Sequence, residues 1–167
     1  YNPSRIEWAT MPPAQARLIF REARYAGPTA GISLGRVQAN LVILPRDVAD
    51  HFEAYCRANP KPCPLLERLQ PGNPATRRLA PGADLRTDLP RYRRYGPGGS
   101  FEEALDIREH WRSDCVAFLL GCSFTFEPAL VEAGVPVRSL EHGTVVPMYR
   151  TSRMCEPVGR FRGPMVV

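Results

Sequence analysis

Hydrophobic positions along the chain fall into a few periodic runs separated by long stretches without pattern. After Pro12 and Pro13, Ala16, Ile19, Phe20 and Ala23 recur at helical spacing, which predicts a short amphipathic helix stopped by Gly27-Pro28. Gly31 and Gly35 bracket a turn. In RVQANLVILP, Val37, Ala39, Leu41 and Ile43 alternate while Val42 and Leu44 fill the other face, predicting a strand buried on both sides towards its end. RDVADHFEAYCRAN then places Val48, Phe52, Tyr55 and Cys56 on one helical face. From Asn59 to Gly99 periodicity vanishes, and a helix is predicted from about Phe101 to Trp111. Val116 to Leu120 form a continuous apolar run, Gly121 breaks it, and Glu127 to Ala133 resume at helical spacing, which reads as strand, turn and helix. Thr125 is the expected N-cap, Glu127 suits the positive end of the helix dipole, and Gly134 closes the helix. Val135 to Leu140, VVPMYRT and GRFRGPMVV predict further short strands.

This order of helices and strands predicts an α/β fold with mixed sheet layers and flanking helices. With 167 residues and 44% hydrophobic content, the chain suffices for one well-cored domain or two small interleaved ones. Its 18 prolines are about twice the usual proportion of roughly 5%. Because they cluster in the middle, the expectation is two associated subdomains, 1–100 and 101–167, with a long proline-rich ordered connection. Ordered loops of this kind often carry function. There is no internal repeat and no low-complexity tract.

Charge narrows the partners. The net charge of +5 is almost wholly arginine, Lys61 being the only lysine. Arginine suits bidentate capture of a carboxylate or phosphate, although a G- and C-rich genome yields the same bias. Only Arg77-Arg78 and Arg91-Arg93-Arg94 cluster, without interleaved aromatics in a long basic stripe, which argues against nucleic acid. No run approaches the about 20 apolar residues of a membrane span, and no export signal is evident, so a cytoplasmic protein is expected. Cys56, Cys63, Cys115, Cys122 and Cys155 are odd in number and lack a CxxC pair, while His51, His110 and His142 stand far apart. Neither a disulfide framework nor a metal site is expected, and no cofactor is signalled.

Three places could carry chemistry. In GADLRTDLPRYR, Asp84, Arg86 and Asp88 alternate with Leu85, Thr87 and Leu89, suggesting a short edge strand or extended loop that projects its charges from one side. The alternative is a solubilising surface strand, or internal pairing in which Arg86 neutralises both aspartates. At the second place, Gly121, Cys122 and Ser123 sit where a buried strand turns into a helix, leaving outward-pointing amides that could cradle an anion. Gly121 would allow the tight bend, Ser123 would offer a hydroxyl, and Cys122 beside the helix dipole could have a lowered thiol pKa; alternatively Cys122 is a small buried hydrophobe and Ser123 a capping residue. The GxSxG nucleophile pattern is absent. Third, Arg150 and Thr151 end an apolar segment, where Arg150 either pairs with a buried carboxylate such as Asp84 or Asp88 or grips a ligand. Gln38 and Asn40 share one strand face, and Lys61 could meet an anion.

Taken together, VQANLVILP, NPKPCPLLE, GADLRTDLPRYR, FLLGCSF, EAGVPVR, VPMYRT and GRFRGPMVV resemble successive signature blocks of the D-glutamate cyclase family, also catalogued as hydro-lyases. The resemblance covers nearly the whole chain from about Gly27. Family members are α/β proteins of two subdomains that continue past the GPMVV block, so the chain is expected either to be naturally short or to be a fragment. It departs from the pattern at Arg36, His142 and Ser152, where relatives often carry tyrosine, glutamine and asparagine. The resemblance implies cyclisation of D-glutamate to 5-oxo-D-proline with loss of water. Residue type alone then assigns Asp84, Asp88 and Ser123 as catalytic groups, and Arg86, Gly121, Cys122, Arg150 and Thr151 as substrate contacts, in a scheme that requires neither metal nor organic cofactor. Within that scheme Arg86 or Arg150 would clamp the α-carboxylate, Asp84 or Asp88 would serve as base and acid, and the Gly121 to Ser123 turn would hold the oxyanion. Two other readings are dehydration of a small hydroxy acid and non-catalytic binding of a carboxylate metabolite. The expected partner is a small acidic substrate, with neither nucleic acid nor membrane; a homo-oligomer is compatible with the chain.

Overall fold

Proline and glycine set most element boundaries in the computed structural model, which describes residues 3–144 and 146–167. The helices are α1 (Arg5–Thr10), α2 (Pro13–Arg21), α3 (Arg46–Ala58), α4 (Glu127–Glu132) and α5 (Arg138–Glu141). The strands are β1 (Ala39–Pro45), β2 (Leu65–Arg68), β3 (Tyr92–Tyr95), β4 (Phe101–Ala104), β5 (Cys115–Gly121), β6 (Arg150–Met154) and β7 (Pro164–Val166). Helices and antiparallel sheets together make the fold α/β. Contacts group the chain into two compact units, each assembled from two stretches: Tyr1–Arg36 with Pro74–Ser113, and Val37–Asn73 with Asp114–Val167.

The first unit is cored by Trp8, Met11, Ala16, Ile19, Phe20 and Ile32, with Tyr25 packed against them. Helix α1 opens on a capping box: the Glu7 amide donates to Ser4 Oγ at 3.3 Å and the Ser4 amide donates to Glu7 Oε2 at 2.7 Å. Helix α2 buries Ala16, Ile19 and Phe20, as their spacing predicts, but it ends at Arg21. Ala23 lies beyond it, exposed and at φ 54°, so it is no part of the apolar face.

The helix predicted over Phe101 to Trp111 is not formed. Instead GPGG turns the chain back on itself, and β3 and β4 pair in a hairpin that sets Arg93 opposite Glu103 and Arg94 opposite Glu102. Both pairs form ion pairs, at 2.9 and 2.6 Å, and the Arg93 guanidinium lies 4.4 Å from the Phe101 ring centroid. Such cross-strand pairs outweigh the modest helix preference of FEEA. A single 3-10 turn, Arg108–His110, follows.

The second unit is organised by β5, the middle strand of the antiparallel sheet β1-β5-β2. Residues 115–119 are all buried, which explains why the strand reads as an unbroken apolar run. Val116 and Phe118 pack with Ala49, Phe52 and Cys56 of α3, and Phe118 meets Phe52 edge-on at 4.9 Å between centroids. Phe161 adds a third ring, 5.2 Å from Phe52. Strand β1 takes an outer place in the sheet and is half-buried rather than buried on both sides. The proline-rich stretch is also more than a connection, since it supplies β2 to this sheet and β3 to the hairpin. Val135 to Leu140 do not form a strand. Pro136 removes a ladder donor, the Leu140 and Glu141 amides both donate to Val137 O, and α5 forms instead. Strands β6 and β7 pair with each other; β6 takes only Arg150 and Thr151 from VVPMYRT, whose Val145 lies outside the described residues, and β7 takes Pro164–Val166 from GRFRGPMVV.

Because the Phe118 side chain is fully buried between sheet and helix, Phe118→Ala should lower stability by about 3–5 kcal/mol. Urea unfolding monitored by circular dichroism would read this as a shift in midpoint without a change in slope.

Candidate functional site

In the first unit, GADLRTDLPRYR folds as a tight turn rather than an extended strand. The amides of Thr87 and Asp88 both donate to Asp84 O, at 3.1 and 2.9 Å, and the Leu85 amide donates to Pro74 O at 2.9 Å. The turn separates the three charged groups instead of aligning them on one side. Asp84 and Arg86 form a bidentate pair, Nε to Oδ1 at 2.9 Å and Nη2 to Oδ2 at 2.8 Å, with both side chains about one-third exposed. Asp88 is buried and accepts Arg21 Nε and Nη2 at 2.7 Å each, Thr87 Oγ1 at 2.9 Å and the Asp84 amide at 3.0 Å. It therefore ties the turn to α2. Of the two internal pairings anticipated for Arg86, only that with Asp84 is made.

The hydrogen bonds from Arg86 hold the Asp84 carboxyl below its ordinary value of 3.8, against the opposing effect of partial burial. A carboxylate held this way is a weak base, and its guanidinium is already occupied.

In the second unit, three of the sequence blocks meet at one end of the central sheet. Gly121 closes β5 opposite Ala39 of the VQAN block, and its amide donates 2.8 Å to Pro64 O of NPKPCP. Glycine is favoured here by space rather than by a tight bend: a Cβ would lie 3.1 Å from Pro64 Cγ, closer than ordinary contact. Beyond it, Ser123–Thr125 form a 3-10 turn that leads into α4. As at any helical start, the first amides have no partner inside the turn. Thr125 does not cap α4 through its side chain, because Thr125 Oγ1 accepts the Gln38 amide at 3.0 Å and donates to Gln38 O at 3.3 Å. That exchange binds the turn to the start of β1.

Ser123 and Cys122 are half-buried. Ser123 Oγ donates 2.8 Å to Oε1 of Glu127, a carboxyl group only 9% exposed that has no ion pair among the described residues. Its position in the first turn of α4 was explained at the sequence level by the helix dipole. The signal for more was the four-residue spacing from Ser123, which stacks two side chains on one helical face. Thr151 Oγ1 donates 2.8 Å to Met165 O and so helps join β6 to β7, whereas Arg150 is exposed and makes no ion pair among the described residues. Asp84 and Asp88, the carboxylates anticipated for Arg150, are bound by Arg86 and Arg21. Asn40 and Lys61 are exposed.

All five cysteines are free. Burial pushes the Cys56 thiol up to about 11 and raises Cys63 as well, which leaves both unreactive. Among the described residues no three His, Cys, Asp or Glu side chains are placed to hold a metal ion, and no helix is long and apolar enough to cross a membrane.

The depressed Asp84 carboxyl carries a pH signature. Its stabilising contribution is complete above the unfolded value and is lost as pH falls through the lower folded value. Wild type should therefore exceed Asp84→Asn by about 0.5–1 kcal/mol at pH 6, with the gap narrowing as pH falls below the ordinary value of 3.8; urea unfolding of both proteins across pH 2.5–6 checks it.

Comparison with known proteins places these residues in a family. A family model for D-glutamate cyclase matches residues 116–167, which include most of β5, the Gly121 to Ser123 turn, Glu127 and the β6-β7 pair. A Rubrobacter xylanophilus protein named "Putative hydro-lyase" is 57% identical over 154 residues, covering 92% of this chain and 60% of the relative. Similarly named proteins from Thermoanaerobacter sp. and Streptomyces coelicolor are 52% and 56% identical over 165 and 155 residues. These alignments cover 99% and 93% of the chain, and 62% and 55% of the respective relatives. The chain thus spans about three-fifths of the length of the curated relatives it matches, and over that span it belongs to the D-glutamate cyclase family.

Proposed function

We propose that the protein is a hydro-lyase acting on a small acidic metabolite, and that this metabolite is D-glutamate, cyclised to 5-oxo-D-proline with release of water. The observation that carries the reading is the family match over the β5 turn and everything that follows it, together with relatives that bear the hydro-lyase name. Cyclisation requires an amine freed of a proton, a γ-carboxyl carbon open to attack, donors for the resulting oxyanion, and a proton for the departing oxygen. The turn supports the oxyanion role through the amides that follow Gly121, since the Gly121 amide is held by Pro64 O; the Ser123 hydroxyl, whose hydrogen goes to Glu127, offers an acceptor. Cys122 and Thr151 are assigned to its lining. Arg150, exposed and without a carboxylate partner among the described residues, is assigned to the substrate α-carboxylate.

The Asp84, Arg86 and Asp88 segment fits a supporting role better than the base and clamp roles. Each of its charged groups would have to leave a bidentate partner before it could serve a substrate. A second reading, elimination of water across a carbon–oxygen bond of a small hydroxy acid, is favoured by the literal meaning of the relatives' name.

The test is an assay of 5-oxoproline formation from D-glutamate, L-glutamate and a panel of small hydroxy acids. Wild type should form 5-oxo-D-proline from D-glutamate alone. Arg150→Ala should raise KM by about tenfold or more, the loss of one charge-assisted carboxylate contact, and Ser123→Ala should lower kcat. Asp84→Ala and Arg86→Ala should retain most activity at 25 °C. An unsaturated acid from a hydroxy acid, with D-glutamate unchanged, selects the second reading; ligand-induced thermal stabilisation without turnover selects simple binding.

A further inference from the structure

Glu127 is a buried ionisable group that the scheme above leaves unused. Its carboxyl lies in the first turn of α4, 9% exposed, with no cation beside it among the described residues. Burying a carboxyl group against a single neutral partner is costly compared with burying an apolar side chain of similar size. That partner is Ser123 Oγ, which donates to Glu127 Oε1 at 2.8 Å. The hydroxyl has one hydrogen, and this bond directs it inward to Glu127. Its lone pairs are left facing the other way, from a half-buried position at the sheet end where the VQAN, NPKPCP and GCSF blocks meet.

We propose that Ser123 and Glu127 form one proton carrier for the cyclisation, with Ser123 touching the substrate and Glu127 acting through it as a positioning residue. The inference rests on the reading of D-glutamate as substrate. Cyclisation forms the N–Cδ bond and breaks one Cδ–O bond, and two of the three ammonium protons end on the oxygen that departs as water. Ser123 Oγ accepts a proton from the ammonium group while its own hydrogen passes to Glu127 Oε1. The freed amine attacks Cδ. The proton on Glu127 then returns through Ser123 to the departing oxygen, and the second nitrogen proton follows the same path. At the end Ser123 is again a hydroxyl and Glu127 again a carboxylate, so the carrier is unchanged over a turnover. A hydroxyl unaided exchanges protons with an ammonium group poorly; a carboxylate behind it lowers the cost of the transfer by taking up the hydrogen that the hydroxyl gives away.

Glu127→Gln tests the carrier, because the amide oxygen still accepts the Ser123 hydrogen while the group can no longer take up a proton. The expected result is a fall in kcat of about 10²–10³-fold with KM within about twofold and a melting temperature near that of wild type. Ser123→Ala, at a half-buried position, should show a similar fall. The double variant should be no worse than either single one, as expected of groups that act as a unit. A Glu127→Gln kcat within threefold of wild type, or losses that multiply in the double variant, overturns the proposal while leaving the cyclisation reading intact. If Glu127→Gln does not fold, full activity in Ser123→Ala overturns it equally. No 5-oxoproline from D-glutamate with wild type overturns the cyclisation reading and the carrier with it.

Discussion

A seven-residue strand that is apolar on both faces must be covered on both faces and paired on both edges, and β5 imposes that requirement on the second unit. Its edges are met by β1 and β2, and one face by the aromatic contact of Phe118 with Phe52 on α3. Where the strand runs out at Gly121, the Pro64 carbonyl takes the last amide, and the Pro64 ring leaves little room for a side chain. The Thr125 hydroxyl binds the following turn to Gln38. The position of Ser123 is thus a consequence of how β5 is buried. A hydroxyl in a turn fastened on both sides in this way is suited to chemistry that needs fixed geometry.

The first unit solves a different problem. It has a small apolar core and much charge, and it places its carboxylates against arginines within a few residues or across a hairpin. Asp88 is the extreme case, a buried carboxylate whose four contacts fasten the GADLRTDLPRYR turn to α2. Losing one partner of such a network costs far more than the pair contributes, which is why the proposed scheme gives these residues a supporting role. In the proposed scheme the proton transfers are carried instead by Ser123 and Glu127, a pair with no cation beside it among the described residues.

Legibility followed the strength of local pattern. The α2 and α3 faces and β5 were readable because each is decided by burial alone, and burial leaves a period in the sequence. The β3-β4 hairpin was not, because FEEA carries helix-forming residues and its partner YRRY sits on the far side of GPGG; only the pairing reveals that the charges match. Val135 to Leu140 misled for the converse reason, an apolar run with no strand beside it. Within the site, the Gly121 to Ser123 turn was legible as a break between two periods. Glu127 was visible too, but at a helix start the dipole explains an acidic residue so readily that its hydrogen bond to Ser123 went unanticipated. Arg150 gave no local sign of whether it was paired, since that depended on Arg21 and Arg86 claiming the carboxylates first.

Two conclusions stand at different levels. Family membership follows from identity above half along nearly the whole chain, whereas the reaction depends on what the end of β5 can hold. The most direct measurement of the latter is a crystal structure of the protein soaked with 5-oxo-D-proline. The account predicts the lactam bound at the sheet end, its ring nitrogen or ring carbonyl within about 3 Å of Ser123 Oγ. Product bound away from that turn, with Ser123 still closed on Glu127 and solvent in front of it, would contradict the account.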